Sequence, residues 1–136
     1  MGNIAYASVI ALVAFSSAPS NHERTIMLVN DAETITVQLS NFAFDPAYLR
    51  LKAGVPVRLH LANESNGGHD FSAPAFFAAS SFPAGTVAPP HGEVAVGSRK
   101  TVDITVVPRT PGTYRLECTH FLHSLFGMHG TIEVVP

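Results

Sequence analysis

One cysteine, no tryptophan and only eight basic residues among 136 set the first limits on this chain. A lone Cys cannot form a disulfide within the chain. Nor can it supply a zinc or iron–sulfur site that needs several thiolates. The eight Lys and Arg are scattered, and against ten Asp and Glu they leave a formal charge of −2. There is no basic stripe to neutralise a run of phosphates, which disfavours nucleic-acid partners. Long segments of 3.6-residue period are missing, and no internal repeat is visible. What the chain does have is apolar material, 46% of its residues, with nine Phe and three Tyr. That suffices for one packed core and argues against wholesale disorder.

The first apolar stretch, residues 4–15, is broken only by Ser8 and is followed by Ser16, Ser17 and Ala18. It is shorter than the ~20 residues of a spanning helix. Its composition resembles a secretory signal with a small-residue cleavage region, although no Lys or Arg precedes it and Pro19 follows Ala18. The expected organisation is a signal peptide or N-terminal apolar segment over 1–20, a linker or mature N-terminus over 21–33, and one domain over 34–136. The expected location is periplasmic or otherwise exported, with no stable membrane span after processing.

From there on, short alternating runs dominate. Ile35, Val37 and Leu39 alternate with Thr34, Thr36 and Gln38. Val57, Leu59 and Leu61 do the same, as do Val102, Ile104 and Val106, then Tyr114, Leu116 and Cys118, then Ile132 and Val134. Period two marks strands with one face buried. Residues 41–47 read as a turn around Pro46, residues 48–52 as extended, and residues 63–68 as an Asn- and Gly-rich loop. The Pro- and Ala-rich stretch 72–92 has no clean period and is expected to hold one helical turn around Phe76 and Phe77. Short strands bounded by Gly and Pro predict an all-β antiparallel sandwich or barrel.

Chemistry concentrates in residues 118–130, Cys-Thr-His-Phe-Leu-His-Ser-Leu-Phe-Gly-Met-His-Gly. Soft thiolate and thioether ligands select copper, and imidazole suits it as well. Two His, one Cys and a weak axial Met describe a blue-copper electron-transfer site. The segment supplies Cys118, Met128 and one His; the other candidate is His69, after the Gly67-Gly68 loop. Cys118 and His120 have one residue between them, little chain with which to wrap a metal. His129 adjoins Met128, and successive extended residues point apart. His123 is therefore the expected ligand and His120 its main rival. His22, His60 and His91 are expected to be solvated.

The motif Pro111-Gly112-Thr113-Tyr114, followed by Cys118-x4-His123-x4-Met128-x-Gly130, resembles the C-terminal ligand loop of cupredoxins. Residues Asn63 and Gly67-Gly68-His69-Asp70-Phe71 resemble their upstream histidine region. The likeness spans residues 35–136, and the loop spacing is closer to the azurin and rusticyanin group than to plastocyanin. It implies a Greek-key sandwich of the cupredoxin type and one copper per chain on His69, Cys118, His123 and Met128. It also implies that His123 is the electron port, with Leu125 and Phe126 as an apolar docking patch. Where cupredoxins often carry Asn after the first His, this chain has Asp70. Its carboxylate could accept a bond from Thr119, its charge then favouring Cu(II) and lowering the potential, or it could equally face solvent. Phe71, Phe121, Leu125 and Phe126 are expected to form an apolar collar around the site.

The resemblance implies a monomeric electron carrier whose partner is a redox protein such as a cytochrome or an oxidase. The alternative is copper binding for tolerance or delivery to a copper-handling protein, which the additional histidines keep open. An enzyme is not expected. Multicopper oxidases and copper nitrite reductases place a His directly beside the Cys, whereas Glu117 and Thr119 flank Cys118.

Overall fold

Alternating apolar residues build two five-stranded sheets that close on one core. The computed structural model describes residues 32–120 and 126–136. The expected signal segment and nearly all of the expected linker lie outside them, as do Phe121, His123 and Leu125. One sheet has the order β2-β1-β4-β8-β6. Its strands are β1 (Glu33–Ser40), β2 (Ala43–Asp45), β4 (Val57–Asn63), β6 (Ser80–Ser81) and β8 (Thr101–Pro108). The other has the order β3-β10-β9-β5-β7. It comprises β3 (Tyr48–Lys52), β5 (His69–Ser72), β7 (Glu93–Val96), β9 (Gly112–Glu117) and β10 (His129–Val135). A short helix α1 (Pro74–Ala78) and a 3-10 turn (Pro90–Gly92) fill the stretch between β5 and β7. Among the described residues no helix is long and apolar enough to cross a membrane.

The all-β sandwich is as expected, and within it two pairings run parallel. β1 lies parallel to β4 and β3 to β10, while the other pairings are antiparallel. The reason is topological: after β2 the chain crosses to β3 in the second sheet before returning to β4. Such a crossover can bring a strand back in the same direction, which a tight hairpin cannot. Alternation reports which face is buried and carries no information about a neighbour's direction.

The inward faces are the predicted ones. Val37, Leu39, Leu59, Leu61, Val106, Leu116 and Ile132 are all essentially inaccessible. Burying each such side chain contributes roughly 1.5–3 kcal/mol relative to exposure. Phe76 and Phe77 on α1 are buried too, which explains a helical turn in so Pro-rich a stretch. Pro74 stands in the first turn of α1, where a missing N–H costs nothing. The turn expected over 41–47 contains the short strand β2, whose Phe44 is buried and packs edge-on against Phe71 at 6.0 Å.

Candidate metal centre

At one end of the sandwich the core turns polar. The buried polar residues among those described are Asn63, His69, Asp70 and Ser72. Three of them touch the segment that the sequence marks for metal chemistry or position a residue that does. None leaves a buried side-chain nitrogen or oxygen unpartnered.

Cys118 follows β9 directly, and its backbone N–H donates to the Met128 carbonyl at 3.1 Å. That bond pins together the two ends of the loop between β9 and β10. Both the Cys118 and the Met128 side chains are fully buried. His69 opens β5, opposite Val96 on β7, and is also fully buried. Its Nδ1 lies 3.9 Å from Cys118 Sγ. The structure thus gathers His69 and Cys118 from positions 49 residues apart. His123, the fourth expected ligand, lies outside the described residues.

The orientation of the His69 ring can be derived from its neighbours. The Asn63 side-chain amide donates to the carbonyls of Gly67, Val96 and Gly97 at 2.8, 3.0 and 3.1 Å. Its oxygen is left to accept from the Ser65 amide at 3.0 Å and the Ser65 hydroxyl at 2.7 Å. With its single proton so placed, the Ser65 oxygen accepts from His69 Nε2–H at 2.9 Å. The Nδ1 lone pair consequently faces the sulfur. This is how a ligating imidazole is fixed: the remote nitrogen carries the proton and is tied down.

Asp70 is buried, which decides against a solvent-facing carboxylate. Its Oδ1 accepts from the Thr119 amide at 2.7 Å and its Oδ2 from the Thr119 hydroxyl at 2.7 Å. The expected link between the two ligand segments therefore exists. A third donor was not foreseen: His120 Nδ1 lies 3.0 Å from Asp70 Oδ2 and 3.7 Å from Cys118 Sγ. With one residue between it and Cys118, His120 is the disfavoured rival by spacing, yet its ring stands beside the thiol. Gly68 leaves that ring room, since a Cβ there would meet His120 Nε2 at 3.4 Å.

Burial pushes the Cys118 thiol above its ordinary range, with the backbone amides of Asp70 and His120 pulling less strongly the other way. A thiolate here needs a cation beside it. The donor chemistry fits a soft one: imidazole nitrogen, sulfur and a buried thioether at Met128 suit copper.

The apolar surroundings divide into two kinds. Phe71 is fully buried among Phe44 and Phe77 and seals the inner side. Phe126 does not close the collar as expected. Its ring is 61% exposed and meets the half-exposed Phe42 edge-on at 5.5 Å. Elsewhere, His91 is exposed as expected, while His60 is half-buried and bonded to Asp103 at 2.7 Å.

A model of the cupredoxin-like domain family matches residues 5–134. The chain belongs to this family. Among solved structures this cupredoxin is similar to auracyanin B, at 27% identity and a TM-score of 0.59, over 77% of this chain and 90% of that one. It is similar in fold to the auracyanin of the photosynthetic bacterium Roseiflexus castenholzii, at 20% identity and a TM-score of 0.60, over 77% and 98%. It is likewise similar in fold to auracyanin A, a blue copper protein of Chloroflexus aurantiacus, at 22% identity and 0.56, over 75% and 98%. No curated protein sequence matches the chain.

Proposed function

We propose that this cupredoxin is an electron carrier using one copper ion held by His69, Cys118, His123 and Met128. The observation that carries the reading is the Asn63–Ser65–His69 chain of hydrogen bonds, which fixes the Nδ1 lone pair toward a buried cysteine sulfur. Copper, when bound, supplies one-electron chemistry between Cu(I) and Cu(II). The protein's part is to hold the ligands in one arrangement, so that little has to reorganise when the charge changes. His69 is tied through Ser65, the thiolate loop is bolted by Asp70 to Thr119, and Cys118 is linked by its backbone to Met128. That rigidity favours a carrier over a delivery protein, which has to let its ligands go. His123 enters by its spacing from Cys118 and Met128. Export is supported by the apolar composition of residues 4–15. The partner fitting this reading is another redox protein, such as a cytochrome.

The test is the visible spectrum of the copper-loaded chain, followed by redox titration. An intense thiolate-to-copper band is expected, together with a reversible one-electron couple. Cys118→Ser should abolish the band while the strands stay folded. Persistence of the band in that variant would remove Cys118 from the site. Rapid passage of copper to an acceptor protein, with slow electron self-exchange, would replace electron transfer by copper handling.

A further inference from the structure

The turn that joins β7 to β8 is fastened to the loop that leads into His69. Ser98 Oγ donates to the Ser65 carbonyl at 3.1 Å, and the Ser65 hydroxyl in turn meets His69 Nε2 at 2.9 Å. The Asn63 backbone N–H donates to the Lys100 carbonyl at 2.9 Å, and its side chain to the Gly97 carbonyl at 3.1 Å. This anchored turn presents Arg99 and Lys100, both exposed and the only Lys or Arg adjacent to one another in the sequence. In strand order they lie on the β8 flank of this end, away from the Phe42–Phe126 pair beside β1 and β2.

Two features mark the pair out. Lys100 N–H donates to the Gly97 carbonyl at 3.1 Å, closing a turn over residues 97–100 with Arg99 in its third position. The Arg99 φ is +56°, a left-handed value that glycine or asparagine commonly supplies there. A long cationic side chain therefore stands where the backbone favours a small residue. Nor is the charge cancelled. Arg99 Nε and Nη2 donate to the neutral Asn66 Oδ1 at 3.2 and 2.9 Å, which aims the guanidinium without neutralising it. Arg50 and Arg115 are paired with Glu133 and Glu117. Among the described residues neither Arg99 nor Lys100 forms an ion pair, the exposed Glu64 of the facing loop included.

We propose that Arg99 and Lys100 form a fixed cationic docking site at the copper end, and that its partner is a redox protein with carboxylates around its exposed redox group. The inference rests on the electron-carrier reading and deepens it by giving the partner's surface a sign. Opposite charges steer an encounter and fix its orientation more than they add affinity. Two cations fall short of the cluster of about four to eight that reads as binding to an anionic membrane.

The test compares the wild-type chain with Arg99→Gly, Lys100→Gln and the double variant. Glycine suits the turn's backbone, so Arg99→Gly removes the charge without adding strain there. Hexacyanochromate(III), a redox-inactive paramagnetic anion, should broaden amide signals of the metal-free wild type around residues 97–100. The double variant should lose that broadening. The reduced, copper-loaded chains are then oxidised by hexacyanoferrate(III), an anion, and by tris(phenanthroline)cobalt(III), a cation. At low ionic strength the double variant should react about tenfold more slowly with the anion and no more slowly with the cation. The difference should close above 0.1 M salt, where screening acts within about 10 Å. In the wild type an acidic cytochrome should react faster than a basic one, although the formal charge of −2 alone predicts the reverse. Broadening centred away from the turn overturns the proposal, as does a basic cytochrome that reacts as fast as the acidic one. Equal slowing with both complexes also overturns it, since the substitutions would then act on the copper site. A loaded wild-type chain without a thiolate band overturns the copper reading instead, and broadening in the metal-free chain still decides whether the turn attracts anions.

Discussion

Ser65 is an unremarked loop residue in the sequence, yet it sets the tautomer of His69. Replacing it by Ala leaves the residue 65 amide bonded to Asn63 but removes the hydroxyl that accepts from His69 Nε2–H and that donates to the Asn63 side chain or the Gly67 carbonyl. Loss of such an outer partner typically lowers metal affinity 10- to 100-fold. Ser65→Ala should show a weakening of about that size in competition titrations against a chelator, with unfolding little changed. Unaltered affinity would mean that the bond does not orient the ring. Residue type and loop spacing alone marked His69, Cys118 and Met128 as candidates, and all three are fully buried. Their hydrogen-bonding partners were not, because an Asn-Ser pair in a Gly-rich loop looks like any turn until its contacts are known. The Cys118 thiol adds a pH dependence. Burial raises its folded pKa above the unfolded one, so its contribution to stability is complete below the unfolded value and is lost as pH rises through the folded one. Metal-free protein should therefore lose stability in the alkaline range, and Cys118→Ala should flatten that slope in denaturant titrations.

Strands with one wet face announced themselves, and those without did not. β1, β4, β8, β9 and β10 alternate in burial, at least in part, and were found by period two. β5 was missed because all four of its residues are buried, which erases the alternation. β7 alternates but has only four residues, set between Gly92 and Gly97 next to a Pro-rich stretch. β5 carries His69 and Asp70, and β7 pairs with it opposite both residues, so the elements hardest to read are the ones that build the candidate site. Gly92 joins them to α1: its carbonyl accepts from Ala73 N–H at 2.9 Å. Its φ is +70°, and a Cβ there would lie 2.3 Å from Pro74 Cα. Gly92→Ala should combine that clash with a strained backbone worth roughly 1–3 kcal/mol. A lowered denaturant midpoint and faster copper loss are expected together, because β5 and β7 are loosened as one. A variant as stable as the wild type would show that this corner yields without cost.

At the scale of the molecule, the end of the sandwich that holds the buried candidate ligands also presents apolar surface. His69 at the start of β5, Cys118 just after β9 and Met128 just before β10 are all fully buried, while Phe126, two residues before Met128, stands 61% exposed against Phe42. An exposed aromatic pair is costly to leave in water, and on the proposed electron-carrier reading it suits the small, transient contacts of electron transfer. The sandwich itself was visible in the alternating runs, whereas this pair was not, since Phe42 and Phe126 are 84 positions apart in the sequence. Phe126→Asp separates docking from the metal's own properties. Because the ring points largely into solvent, its replacement should leave the charge-transfer band in place and barely move the reduction potential. The encounter with a redox partner should nevertheless slow, since a desolvated contact becomes a charged one. Mutations within one interface commonly change association by one to three decades, and a loss of about one decade is expected here. Stopped-flow reaction with a small cytochrome measures it, and electron self-exchange provides the comparison within one protein. If the potential shifts while the bimolecular rate holds, Phe126 acts on the copper environment, and docking has to be sought on another face.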